Sequence, residues 1–244
     1  MRRLLLVLLT AVTLFGCSIG KSKSQMPIEK RIELGDHYYE RGRYNKAADH
    51  YIEVVFERSS NYTPIAQFRL GECHFNLGRY TDAIFEYQEL IRLFPEFKDV
   101  SVAYYRIGEA HYQKSLKPQY TQEDGHLAIQ AFEVYLDRFP YGDKRESALE
   151  AIQELQYKFI EKNYNNGYIY YRLYDYSAAL MYFDEILELG NRNELDKKTR
   201  YYEARIYVKR RDQENALSML KSLKEYYPES KETQKIERLY DKIF

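Results

Sequence analysis

The chain has no tryptophan, two cysteines and six prolines among 244 residues. Cys17 and Cys73 form no CxxC pair and have no second ligand nearby, which excludes a zinc knuckle or a dithiol redox motif. A disulfide between them stays open at this level, with Cys73 expected as a small buried helix residue. An excess of one charge sign is also missing, since 37 Lys and Arg balance 37 Asp and Glu. That balance gives no bulk field for nucleic acid. There is no GxSxG, no Walker loop and no HExxH. The five histidines, His37, His50, His74, His111 and His126, are scattered. The acidic residues read as solvated helix faces. No enzyme activity, metal or cofactor is expected.

What is present is aromatic and periodic. Tyrosine occurs 27 times and phenylalanine 12 times, so most aromatic surface carries a hydroxyl that needs a partner or water. The hydrophobic fraction of 45% is too high for a disordered chain.

The first residues, MRRLLLVLLTAVTLFGCSIGKSKS, are of another kind. Residues 4–15 are almost wholly apolar and would reach roughly 18 Å as a helix, short of the ~30 Å hydrocarbon core. A basic start, a short apolar run and a small-residue break are the layout of a secretory signal. Leu14-Phe15-Gly16-Cys17 resembles the bacterial lipoprotein signal, in which the cysteine is acylated and becomes the first residue. Ser18 after it favours the outer membrane by that resemblance. The alternatives are an ordinary signal peptide or a membrane anchor. In the lipoprotein reading residues 1–16 are the signal peptide and 17–27 the acylated Cys17 and its polar tether. Two or more buried acyl chains hold a protein durably at a membrane.

The remainder repeats. Gly35, Gly71, Gly108, Gly167 and Ala204 anchor five similar stretches at spacings of 36, 37, 59 and 37, mostly near the 34-residue tetratricopeptide period. Three residues after each anchor stands Tyr38, His74, His111, Tyr170 or Tyr207. Further on come Ala47, Ala83, Ala128, Ala179 and Ala216, each followed four residues later by Tyr51, Tyr87, Phe132, Phe183 or Leu220. Small residues let two antiparallel helices approach, and the large residue fills the space beside them. Pro95, Pro140 and Pro228 stop second helices, because proline cannot donate the next backbone hydrogen bond.

Two departures shape the array. About eight extra residues around 115–124 are expected as a loop in the third repeat. Residues 144–172, free of proline and helically periodic at Ala148, Ile152, Leu155, Phe159 and Ile160, are expected as one long helix joining two blocks. The expected fold is therefore all-α: a tetratricopeptide-repeat solenoid of five helix pairs with a long connecting helix and a C-terminal capping helix. Repeats 1–3 occupy 28–142, and the long helix, repeats 4–5 and the cap occupy 143–244. Ile236, Leu239, Tyr240 and Ile243 give the cap its apolar face.

Such repeats offer a wall of first helices. Ile32/Tyr39, Phe68/Phe75, Tyr105/Tyr112, Tyr164/Tyr171 and Tyr201/Val208 stack seven residues apart on it. The column is either an aromatic groove edged by Arg69 and Arg106, suited to a peptide with aromatic side chains, or plain repeat-to-repeat core. It lacks the basic and amide residues of a carboxylate clamp, with Ile32, Glu33 and Asp36 in those places.

The whole layout resembles the BamD family, lipoprotein subunits of the outer-membrane β-barrel assembly machinery. The likeness is most specific over residues 120–187, where the family's Ala…Phe…Leu…Arg-Tyr-Pro-x-Ser pattern is followed by a charged helix, a Tyr-Tyr pair and a paired Ala-Ala. Phe139 here replaces the usual Tyr and Gly142 the usual Ser. The resemblance implies a scaffold facing the periplasm, lipid-anchored in the outer membrane, with no nucleic-acid partner. Its N-terminal repeats would recognise unfolded outer-membrane proteins through Tyr39, Phe68, Arg69, Phe75, Tyr105 and Arg106. Its C-terminal repeats would dock a POTRA domain of the barrel-inserting protein through Tyr171, Arg172, Arg205 and Lys209, beside other subunits of the complex. The competing reading is a periplasmic tetratricopeptide lipoprotein that scaffolds cell-envelope or peptidoglycan proteins.

Overall fold

A computed structural model describes residues 26–57, 60–115 and 123–244. The expected signal peptide, Cys17 and most of the expected tether lie outside the described residues, as does most of the insertion near 115–124. The described residues form helices α1 (Ile28–Glu40), α2 (Tyr44–Phe56), α3 (Thr63–Asn76), α4 (Tyr80–Leu93), α5 (Val100–Lys114), α6 (Glu123–Arg138), α7 (Arg145–Arg172), α8 (Tyr176–Glu188), α9 (Glu194–Lys209), α10 (Gln213–Tyr226) and α11 (Lys231–Ile243). No strand occurs among them, and none of these helices is long and apolar enough to cross a membrane. Each helix packs on its sequence neighbours, α7 also on α5 and α9, and α9 also on α11. Short-range pairing of this kind is the architecture of a solenoid.

The repeat chemistry explains the pairing. A Cβ placed on Gly35, Gly71, Gly108 or Gly167 would lie 2.6 Å from the ring of Tyr51, Tyr87, Phe132 or Phe183, respectively. Glycine on the first helix thus admits an aromatic ring of the second, and all four rings are buried. The fifth pair reaches the same fit with Ala204 and the smaller Leu220, both buried. Where the second-helix residue is tyrosine, the residue after the glycine is acidic and accepts its hydroxyl: Tyr51 donates to Asp36 at 2.6 Å and Tyr87 to Glu72 at 2.5 Å. Where it is phenylalanine, no such bond is needed.

Pro95 and Pro228 follow residues whose backbone has already left the helix, Phe94 at φ −136° and Tyr227 at φ −138°, away from the α region that proline disfavours for its predecessor. The expected loop at 115–124 is shorter than the spacing implied, since Glu123 and Asp124 form the first turn of α6. Acidic side chains there complement the helix dipole, and Asp124 is held by His111 at 3.0 Å and Lys114 at 3.1 Å. The long helix runs over 28 residues without a break. Cys73 is free and fully buried, and burial pushes its thiol up to about 12.

One expectation is overturned. Not all acidic residues lie on solvated faces: Glu72, Asp196 and Glu203 are buried. Glu72 and Asp196 tolerate this because each has cationic and hydroxyl partners. Glu72 receives two bonds from Arg106 and one from Tyr87, and Asp196 receives Arg200 and the Tyr227 hydroxyl.

Glu203 is less well served. One of its oxygens has no hydrogen-bond partner, and one turn earlier the Thr199 hydroxyl is equally buried and unpartnered. Burial first, then the charge of Asp184 on α8, push its carboxyl up to about 8. Folded Glu203 keeps its proton to about pH 8, whereas unfolded it loses it near 4.5. Between those values the folded state binds more protons, so stability falls as pH rises. Glu203→Gln, which cannot ionise, is expected to raise stability at pH 8 by on the order of 2 kcal/mol and to add little at pH 4.5. Urea denaturation at the two pH values measures both.

Candidate functional site

Two faces gather the residues singled out from the sequence. On repeats 1–3 the aromatic four residues after each glycine is covered by a cation from the next first helix. The Arg69 guanidinium lies 5.2 Å from the Tyr39 ring centre, Arg106 lies 4.7 Å from Phe75, and the Lys158 ammonium lies 4.9 Å from Tyr112. The arginines are therefore not free edges of a groove. Arg106 is held by Glu72 at 2.9 and 3.0 Å and by Glu109 at 2.7 Å, and Arg69 stands 4.0 Å from Asp36. Phe68 packs against Tyr87 and Phe97, and Tyr105 against Phe132 and Tyr135. Tyr39, Phe68, Phe75 and Tyr105 are all half-buried. The column thus joins the repeats and also shows part of each ring to solvent.

The second face is more concentrated. At the C-terminal ends of α7 and α9 lies a pocket of about 280 Å³, lined by Tyr168, Tyr171, Arg172, Tyr174, Tyr202, Arg205 and Lys209. It contains all four residues proposed from the sequence for partner docking. Tyr171 is its buried floor. Arg205 lies over the rings of Tyr171 and Tyr201 at 5.6 and 5.5 Å. Lys209 stands 5.8, 5.4 and 5.5 Å from the rings of Tyr171, Tyr174 and Tyr176 and donates to the Tyr176 hydroxyl at 3.1 Å. Arg172 donates to the Tyr168 hydroxyl at 3.3 Å. That bond, opposed by partial burial, holds the Tyr168 phenol below its ordinary value. Tyr202 is pushed up to about 12, by burial first and then by Tyr168. No acidic residue lines the pocket.

Sequence reading missed Tyr168, Tyr174 and Tyr202. Tyr174 carried a signal. The turn after the first helix needs one residue in the left-handed region, and repeats 1 and 2 supply Gly42 and Gly78 at φ 68° and 71°. Repeat 4 puts Tyr174 there at φ 64°, at a cost of roughly 1–2 kcal/mol for a residue with a Cβ. Tyr174 is 73% exposed and the adjacent Leu173 is 68% exposed. A bulky side chain in a strained turn, displayed to solvent at the mouth of a pocket, fits a contact residue better than a packing one.

The histidines do other work. His50 stacks on Tyr38 and His126 on Phe159. His111 pairs with Asp124. The His74 ring nitrogen Nδ1 is buried without a partner, and burial lowers its basicity. Among the described residues no three His, Cys, Asp or Glu side chains gather as a metal site.

The matching repeat models agree with this architecture. Residues 32–96 and 199–230 each match a tetratricopeptide repeat model. The outer membrane protein assembly factor BamD of Caulobacter vibrioides is 23% identical over 189 residues, covering 74% of this chain. The chain spans 61% of the length of that curated relative. Among solved structures, the TPR2AB domain of yeast Sti1 in its pHSP90 complex has a TM-score of 0.49 at 16% identity, covering 88% of this chain and 83% of that one. A TPR repeats protein from Bacteroides fragilis has a TM-score of 0.46 at 10% identity, covering 89% and 97%. The chain is an all-α solenoid of helix pairs with tetratricopeptide repeats in its N-terminal and C-terminal parts.

Proposed function

We propose that this protein is a lipoprotein scaffold of the outer-membrane β-barrel assembly machinery, without catalytic activity of its own. The observation that carries the reading is the similarity to BamD over 74% of the chain, on a solenoid whose long helix α7 joins repeats 1–3 (28–142) to the block 143–244. The C-terminal block docks a POTRA domain of the barrel-inserting protein at the pocket of Tyr171, Arg172, Arg205 and Lys209. A surface of tyrosines and arginines is what protein interfaces favour at their energetic centres. The half-exposed ring column of Tyr39, Phe68, Phe75 and Tyr105, braced by Arg69 and Arg106, meets unfolded barrel segments rich in aromatic side chains. Acylated Cys17 holds repeat 1 close to the outer membrane on its periplasmic side, because the ten steps along the chain from Cys17 to Pro27 span at most about 35 Å.

Depletion tests this function. Lowering the protein in the cells that make it is expected to reduce folded barrel proteins in the outer membrane several-fold, with soluble periplasmic proteins unchanged. Undiminished barrel proteins after depletion would overturn the reading.

A further inference from the structure

The pocket between α7 and α9 has an unusual balance of hydrogen-bonding groups. Arg172, Arg205 and Lys209 bring three positive charges, and none has a carboxylate within salt-bridge distance among the described residues. Elsewhere Arg31, Arg106 and Arg200 are all paired with acids. The three cations in the pocket spend their donors on phenol oxygens instead: Arg172 on Tyr168, Arg205 on Tyr201 at 3.4 Å, and Lys209 on Tyr176. A phenol that accepts through its oxygen still has its own hydrogen to donate. The pocket's side chains therefore offer donors from cations and hydroxyls and no carboxylate that would repel an anion. It is built for an anion.

Two features select the kind of anion. The site lies at the ends of α7 and α9 where the last residues, Arg172 and Lys209, stand. Helix C-termini carry partial negative charge, which opposes a doubly charged phosphate more than a singly charged carboxylate, and they lack the backbone N–H groups that cradle phosphate. The walls are tyrosine faces, which suit a charge carried on a carbon stem. At the pocket's edge Tyr174 is 73% exposed, and Leu173, between Arg172 and Tyr174 in the chain, is 68% exposed. These two apolar side chains stand beside a charged centre.

We propose that this pocket takes one carboxylate, the side chain of an Asp or Glu on a docked protein, with apolar neighbours of that residue resting on Leu173 and Tyr174. The proposal rests on the reading that the C-terminal repeats dock a protein, and it names the chemistry of that contact. Arg172 and Arg205 would hold the carboxylate, Lys209 would complete its charge balance, and Tyr174 would be kept in its strained turn as a wall for the flanking side chain.

The test is carbodiimide coupling of the labelled peptide Ac-Leu-Glu-Phe-NH2 to the purified full chain in detergent, with labelled lysines located by mass spectrometry. A carboxylate seated in the pocket lies against the Lys209 amine, so Lys209 is expected to be labelled at least about tenfold faster than exposed Lys221 and Lys235. Arg205→Gln and, separately, Arg172→Gln, at an exposed position, are each expected to lower that preference several-fold with the helical circular dichroism unchanged. Unlabelled Glu peptide should compete, and its Gln twin should not. Labelling of Lys209 no faster than Lys221, or a preference that survives both arginine variants, overturns the proposal. Inorganic phosphate competing as well as the Glu peptide does so too, by making the pocket a general anion site. The assay needs no assembly partner, so a negative result here and a negative result on the assembly role are separate findings.

Discussion

Arg106→Ala is expected to destabilise the fold by about 3–5 kcal/mol, the usual cost of removing one partner from a buried ion pair. The Arg106 guanidinium reaches from α5 to Glu72 on α3 with two parallel bonds of 2.9 and 3.0 Å, and its third nitrogen reaches Glu109 at 2.7 Å. Glu72 is 6% exposed. Without Arg106 its carboxylate would stay buried with the Tyr87 hydroxyl as its remaining side-chain donor. Phe75 would also lose the cation over its ring. Urea denaturation at pH 7 measures the loss. Adding Glu72→Gln to Arg106→Ala should recover part of it, since a neutral amide costs less to bury than an unpaired carboxylate. A loss below about 1 kcal/mol would show that Glu72 escapes to water, as an exposed pair would.

Phe183→Ala should cost about 3–5 kcal/mol, the range for deleting a fully buried phenylalanine. Phe183 is 0% exposed and fills the space that Gly167 leaves on α7, with Tyr164 and Tyr202 as ring neighbours. The fifth repeat supplies an internal control. There Ala204 and Leu220 solve the same contact with a larger anchor and a smaller filler. The double variant Gly167→Ala/Phe183→Leu copies that pair and is expected to stay within about 1.5 kcal/mol of the natural protein, as volume-conserving exchanges do. Gly167→Ala alone keeps the full ring and forces the new methyl against it, so it should be less stable than the double variant. Thermal melts of the natural protein, Gly167→Ala, Phe183→Leu and the double variant form a mutant cycle. Additive effects would mean that the two positions do not share one contact.

These residues also show what was legible beforehand. The glycine and its large partner recur at a nearly constant spacing, and the close approach of helices that this implies is the approach observed. The stop at Pro95, the unbroken helix ending at Arg172 and the buried state of Cys73 follow from local chemistry and could be read locally. The buried acids could not. Glu72 finds Arg106 34 residues away, and only the stacking of consecutive repeats brings that pair together. The same stacking turned Arg69 and Arg106 from groove edges into covers over the rings of the preceding repeat. At the pocket, Tyr171, Arg172, Arg205 and Lys209 were named from repeat position, whereas Tyr168 and Tyr202 enter through the crossing of α7 and α9. Tyr174 was readable in principle, because its place in the turn is held by glycine in repeats 1 and 2. In the third repeat the insertion separated the two helices and blurred where the second one starts.

The central claim is that these repeats form a scaffold for a barrel-inserting partner. Affinity purification of the tagged protein from detergent-solubilised envelope membranes tests it most directly, with Arg205→Glu/Lys209→Glu as the paired variant. A POTRA-bearing barrel protein retained at near-stoichiometric yield by the natural chain, and at least about tenfold less by the folded variant, is the predicted result. A folded natural chain that retains no such protein would contradict the account.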